Sequence, residues 1–132
     1  MRDGHPDTDG STVWNKNHSI MTNGTGLLGH FSSTQSAIII PKPGNNDIYY
    51  IITVAAIGWS QNPSYDGINY SEVDMTLSNG NGAITSNKNI MLNQPSCEKI
   101  TAVTHANGSD IWLITHNWNS NSFCYKKLKK II

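Results

Sequence analysis

Five histidines, His5, His18, His30, His105 and His116, are the side chains best suited to bind a metal. His105 and His116 fall on one face of a predicted hairpin but at its opposite ends, roughly 20 Å apart at ~3.4 Å per residue, too far to share one ion. His105 stands opposite Asp110 at the turn and reads as a cross-strand polar pair. Asp3, Asp7 and Asp9 beside Gly10 have the composition of a calcium loop, but Ser11 and Thr12 break the EF-hand spacing. Glu72 and Asp74 lie two apart on a predicted strand, so they share a face about 7 Å apart, a separation compatible with a glycosidase pair. Surface acids at that spacing are also common, and a solvated face is the plainer reading. Glu98 is the remaining acid of this group. No GxSxG elbow is present, and Cys97 and Cys124 belong to no CxxC, Cys/His or metal spacing. Both read as buried or incidental thiols. Gly24, Gly26 and Gly29 scan as GxGxxG, but they open no helix and sit in no βαβ unit. These residues add up to no catalytic constellation, no metal site and no cofactor site. The expectation is a chain that is not an enzyme.

Trp59 and Trp118 carry the remaining chemistry. Each sits in a polar loop, Trp118 between Asn117 and Asn119, and a flat apolar ring flanked by amides is a common way to hold carbohydrate. Trp59, Trp118, Asn117 and Asn119 are therefore the candidate ligand-binding residues. The competing role for such a Trp is to plug the gap between adjacent sheets. Trp112, in mid-strand, reads as core.

The elements that must position these residues are short strands separated by turns. Strands are expected at 11–15, 18–21, 37–40, 48–56, 69–77 and 89–92, then at 99–105, 110–116 and from 122 onward. Pro41 and Pro43 forbid a helix after the first β-branched run. Asn107-Gly108 centres the most legible hairpin as a two-residue type I′ turn. That register pairs Val103 with Trp112, Thr101 with Ile114 and His105 with Asp110. Both of its faces are largely apolar, as in a sheet covered on both sides.

The hairpin at 37–51 resembles the one at 101–114, with Asp47 aligned on Asp110, 63 residues later. Two further strands lie between, so the repeating unit is four antiparallel strands, the blade of a β-propeller. The fold class is thus all-β, built of antiparallel four-stranded sheets as a partial β-propeller of about two blades. Residues 11–21 would end one blade, 37–92 form a full one and 99–125 begin the next. A β-sandwich of eight short strands is the alternative.

Asn, Ser, Thr and Gly supply 52 of the 132 residues, and there are only two Glu, which disfavours long helices. Nine Lys+Arg balance nine Asp+Glu, yet Lys126, Lys127, Lys129 and Lys130 all fall in the last seven residues. Residues 1–125 therefore carry five positive against nine negative charges, a net of −4. An acidic body argues against nucleic acid and against a polybasic membrane surface. No 18-residue apolar run is present to insert in a membrane as a helix.

Four segments carry a family resemblance: residues 8–29 (TDGSTVWNKNHSIM, then NGTGLLG), 32–54, 70–77 (YSEVDMTL) and 98–123 (EKITAVTHANGSDIWLITHNWNSNSF). In order and spacing they resemble the N-terminal β-propeller-like region of Bacteroidetes surface proteins that end in a gliding-motility-associated, type IX secretion sorting domain. The resemblance implies export and an extracellular or outer-cell-surface location. It implies a non-catalytic scaffold or adhesion module whose partners are a surface glycan or another cell-surface protein, and it supplies no active-site motif. A polysaccharide-binding or polysaccharide-acting module is the alternative. Residues 1–7 and 126–132 depart from the pattern, as in a fragment or a frame-shifted reading frame. A partial propeller would leave open sheet edges and so self-associate.

Overall fold

The structure, a computed structural model, describes residues 11–56 and 67–129. Among them, two antiparallel sheets account for eight strands. The first is a meander of β1 (Ala37–Pro41), β2 (Ile48–Val54) and β3 (Ile68–Asp74). On the free edge of β3 lie β4 (Ala83–Ile84) and β5 (Ile90–Asn93), two pieces of one interrupted fourth strand. Glu72 holds the interruption closed: its N–H donates to Asn87 O and its carbonyl accepts from Thr85 N–H, at 2.8 and 2.9 Å. The second sheet is β6 (Ser96–Thr104), β7 (Ile111–Asn117) and β8 (Phe123–Leu128).

The β2 sequence IYYIITV is apolar on both faces because both faces are covered. Ile51 points one way, with Val73 and Ile84, onto Val13, Met21 and Leu27 of the segment 11–28. Ile52 and Val54 point the other way, with Ile40 and Ile68, onto Ile100 and Leu113 of the second sheet. Three layers follow in chain order: segment 11–28, the first sheet, the second sheet. Each fully buried Ile or Leu at these two seams contributes about 1.5–3 kcal/mol.

The two sheets repeat one another strand by strand. Tyr50 pairs with Ile40 and Glu72, and Trp112 pairs with Val103 and Lys127 in the same way. Tyr50-Ile51-Ile52-Thr53 thus overlies Trp112-Leu113-Ile114-Thr115, a spacing of 62 (112 − 50). The alignment of Asp47 on Asp110 is one residue out, because the second turn is one residue shorter. The first is closed by Lys42 N–H to Ile48 O and the second by His105 N–H to Asp110 O, leaving five and four residues between. A slip of one residue along a strand exchanges its faces. In the correct alignment, the face of β7 carrying Leu113 and Thr115 is the counterpart of the β2 face carrying Ile51 and Thr53.

Several sequence expectations need revision. The 99–116 hairpin has the expected register, with Val103 opposite Trp112 and Thr101 opposite Ile114. Its turn is not a two-residue type I′. Gly108 has φ 71° while Asn107 stays at negative φ, and Gly108 N–H bonds to His105 O, so the loop is 106–109. Among the described residues only one face of this hairpin is covered. Trp112, expected in the core, lies half-buried on the other face, beside Val103 at 45 % and Tyr125 at 67 % exposure. Among the described residues the expected strands at 11–15 and 18–21 pair through the isolated Trp14–Ile20 bridge, and Asn15 Oδ1 caps the turn by accepting from Asn17 and Ser19 N–H. The strand expected at 69–77 stops at Asp74, where Asp74 Oδ1 accepts from both the N–H and the hydroxyl of Thr76. Ser78 and Asn79 then turn the chain at φ 51° and 55°. Lys126, Lys127 and Leu128, set apart by composition, complete β8, and Leu128 packs on the core.

Candidate functional site

Trp118 opens the loop between β7 and β8. The loop is short and self-contained: Asn117 N–H bonds to Ser122 O at 3.0 Å, Ser122 N–H to Ser120 Oγ at 3.0 Å, and Asn119 takes φ 49°. Asn tolerates that left-handed backbone better than other non-glycine residues do. On its near side the loop is tied to the approach to β6, with Trp118 N–H on Pro95 O and Asn93 Nδ2 donating to Asn117 Oδ1. Buried Ser96 braces the strand ends. Its hydroxyl lies 2.8 Å from Thr115 Oγ1 and donates to His116 O at 3.4 Å.

Cys97, His116, Asn117, Trp118 and the three residues that follow line an open hollow of about 640 Å³. Trp118 is 51 % exposed, so it plugs no gap among the described residues. The amides of Asn119 and Asn121 and the Nδ2 of Asn117 make no hydrogen bond among the described residues. Among the described residues no Asp, Glu, Lys or Arg lines the hollow. A flat ring beside free amides, without fixed charge, suits a neutral, ring-shaped polyol: the ring takes the C–H face and the amides take hydroxyls. Three of the four ligand-binding candidates, Asn117, Trp118 and Asn119, thus meet in one place. Trp59 lies outside the described residues, as do His5 and the acidic cluster Asp3, Asp7 and Asp9. Cys97 was not foreseen here; it joins because β6 starts at Ser96, earlier than expected, and Ser96 pairs with Asn117.

Glu72, Asp74, His105 and Asp110 are engaged elsewhere. Glu72 does not lie on a solvated face: Oε2 takes the Lys42 ammonium at 3.1 Å, and Oε1 accepts from Thr85 Oγ1 and Asn87 Nδ2. The carboxylate clamps the interrupted fourth strand to the end of β1. That bond holds the Lys42 ammonium above its ordinary value, and burial raises the neighbouring Tyr50 phenol. Asp74 is held below the usual carboxylate range by the Thr76 hydroxyl and N–H. The polar pair expected between His105 and Asp110 is bridged by Lys127, which lies 2.9 Å from Asp110 Oδ2 and 3.2 Å from His105 Nε2. His116 packs edge-on against Phe123. Cys97 and Cys124 are free and half-buried. Among the described residues no three His, Cys, Asp or Glu side chains gather to hold a metal, and no helix is long and apolar enough to cross a membrane.

No family model, curated protein or solved structure matches the chain. Its class is therefore set by its own architecture: an all-β chain of stacked antiparallel sheets.

Proposed function

We propose that this chain is a non-catalytic scaffold and adhesion module of an exported bacterial cell-surface protein, a partial β-propeller whose β7–β8 loop holds a surface glycan. The carrying observation is the uncharged hollow at Trp118, with Asn117 and Asn119 presenting amides beside a half-exposed indole. The family resemblance supports the surface location. Stacking of two strand-matched sheets in chain order supports the propeller reading over a sandwich, because successive blades meet by opposite faces. The alternative, a polysaccharide-acting enzyme using Glu72 and Asp74, has little support: the Glu72 carboxylate is committed to Lys42, Thr85 and Asn87.

A glycan array followed by calorimetric titration of the best binder tests the reading. Trp118→Ala is expected to weaken binding about tenfold or more, about 1.4 kcal/mol, with Glu72→Gln binding like wild type. An array without a hit, or equal binding by Trp118→Ala, overturns it. So does hydrolysis of a bound polysaccharide that disappears in Glu72→Gln.

A further inference from the structure

The two sheets carry the same side-chain constellation on corresponding faces. On the first, Tyr50 meets Tyr70 edge-on with ring centres 5.5 Å apart, and the Lys42 ammonium sits 5.8 Å from the Tyr50 ring. On the second, Trp112 meets Tyr125 edge-on, again at 5.5 Å, and the Lys127 ammonium sits 5.7 Å from the Trp112 ring. Tyr50 corresponds to Trp112 by the strand pairing given above. Tyr70 corresponds to Tyr125: Ile52 pairs with Tyr70, and Ile114, the counterpart of Ile52, pairs with Tyr125. In the first sheet this face receives the second sheet, and Tyr50 and Tyr70 pack against its core. In the second sheet no described residue covers it. Val103, Phe123 and Tyr125 are exposed there at 45, 69 and 67 %.

The opposite end of the stack shows the matching half. Val73 and Ile84 are a bridged pair on the first-sheet face that the segment 11–28 covers. Trp14 and Ile20 are the bridged pair at the corresponding place in the segment itself. The backbone fixes that match. Val13 bonds to Gly24 O and Met21 N–H just as Glu72 bonds to Asn87 O and Thr85 N–H, so the next residues, Trp14 and Val73, correspond. Ile20 is 51 % exposed where Ile84 is buried.

We propose that a second copy of this chain docks head to tail, seating its Trp14–Ile20 end on the Trp112–Tyr125 face and continuing the stack across the molecular boundary. The proposal rests on the stacked-repeat part of the scaffold reading and extends it to a partner. The contact joins two different surfaces, so it is heterologous, and copies add until a ring closes or a fibre grows.

Sedimentation velocity across a dilution series tests this on the full chain. Wild type is expected to form concentration-dependent species larger than a dimer. Tyr125→Lys disables one end and Ile20→Lys the other, both at exposed sites that leave the core intact, and each variant alone is expected to remain monomeric. Mixed one to one, the two retain one competent pair of ends and are expected to stop at a heterodimer. A wild type that stays monomeric throughout overturns the proposal, as does a mixture that stays monomeric. Loss of assembly in Tyr125→Lys but not in Ile20→Lys would mean symmetric pairing of the aromatic faces, and overturns it too. Glycan binding at Trp118, measured on the same monomeric variants, is expected to be unchanged, so the assembly and the glycan reading fail separately.

Discussion

The Tyr50–Tyr70 face and the Trp112–Tyr125 face are near copies with opposite fates. Each has an edge-on aromatic pair, an ammonium over the central ring and an aliphatic residue two positions along, Ile52 or Ile114. One is pressed against the next sheet and the other lies open among the described residues. Burial is therefore a property of position in the stack, and the same side chains do different work at its middle and at its end. In the middle they supply the seam. At the end they leave an aromatic surface of the kind that recruits partners.

Substitutions at matched positions can break that comparison. Ile52 is fully buried, so Ile52→Ala is expected to cost about 2–5 kcal/mol in chemical denaturation. The same change at Ile114, measured under monomeric conditions, is expected to cost well under half as much, since half-buried surface is lost and no enclosed cavity forms. Equal losses would mean that the second face is covered too. A joint present in both copies should behave alike in both. Ser33 Oγ donates to Val54 O, and Ser96 Oγ caps the corresponding strand end at His116. Ser33→Ala and Ser96→Ala are each expected to cost about 1 kcal/mol in the same assay. A large cost at one alone would show that the strand ends are not equivalent.

The smallest effect concerns the clamp at the covered face. Lys42 has a raised folded-state value, so its contribution is complete below its ordinary value of 10.5 and fades as pH rises through the raised one. Tyr50 is raised as well and acts in the same direction. Denaturation midpoints of wild type are therefore expected to fall in alkali more steeply than those of Lys42→Met. Parallel pH profiles would remove the Lys42–Glu72 bond from the account.

What the sequence made legible was local. The pairing of Val103 with Trp112 followed from the placement of Asn107-Gly108, and any turn of that span preserves it, even though the turn type differs. Strand positions in 37–92 followed from β-branched runs between Pro, Gly and Asn. Which face of each strand is covered was not legible, because it hinges on one residue of turn length between 42 and 48 and on what stacks next. Trp112 was misplaced for that reason: its apolar neighbours read as core when the described residues pack only one side of the sheet. The hollow at Trp118 was partly legible from the Asn-Trp-Asn loop. Cys97 was not, since only the long-range pairing of Ser96 with Asn117 brings it there. The engagement of Glu72 also escaped, as it joins three segments that are distant along the chain.

Corresponding aromatic faces are covered in the first sheet and, among the described residues, open in the second. Hydroxyl-radical footprinting of dilute, monomeric protein, read residue by residue by mass spectrometry, tests this difference directly. Tyr125 and Phe123 are expected to oxidise fast and Tyr70, the covered counterpart of Tyr125, slowly. Equal rates at Tyr70 and Tyr125 would contradict the difference.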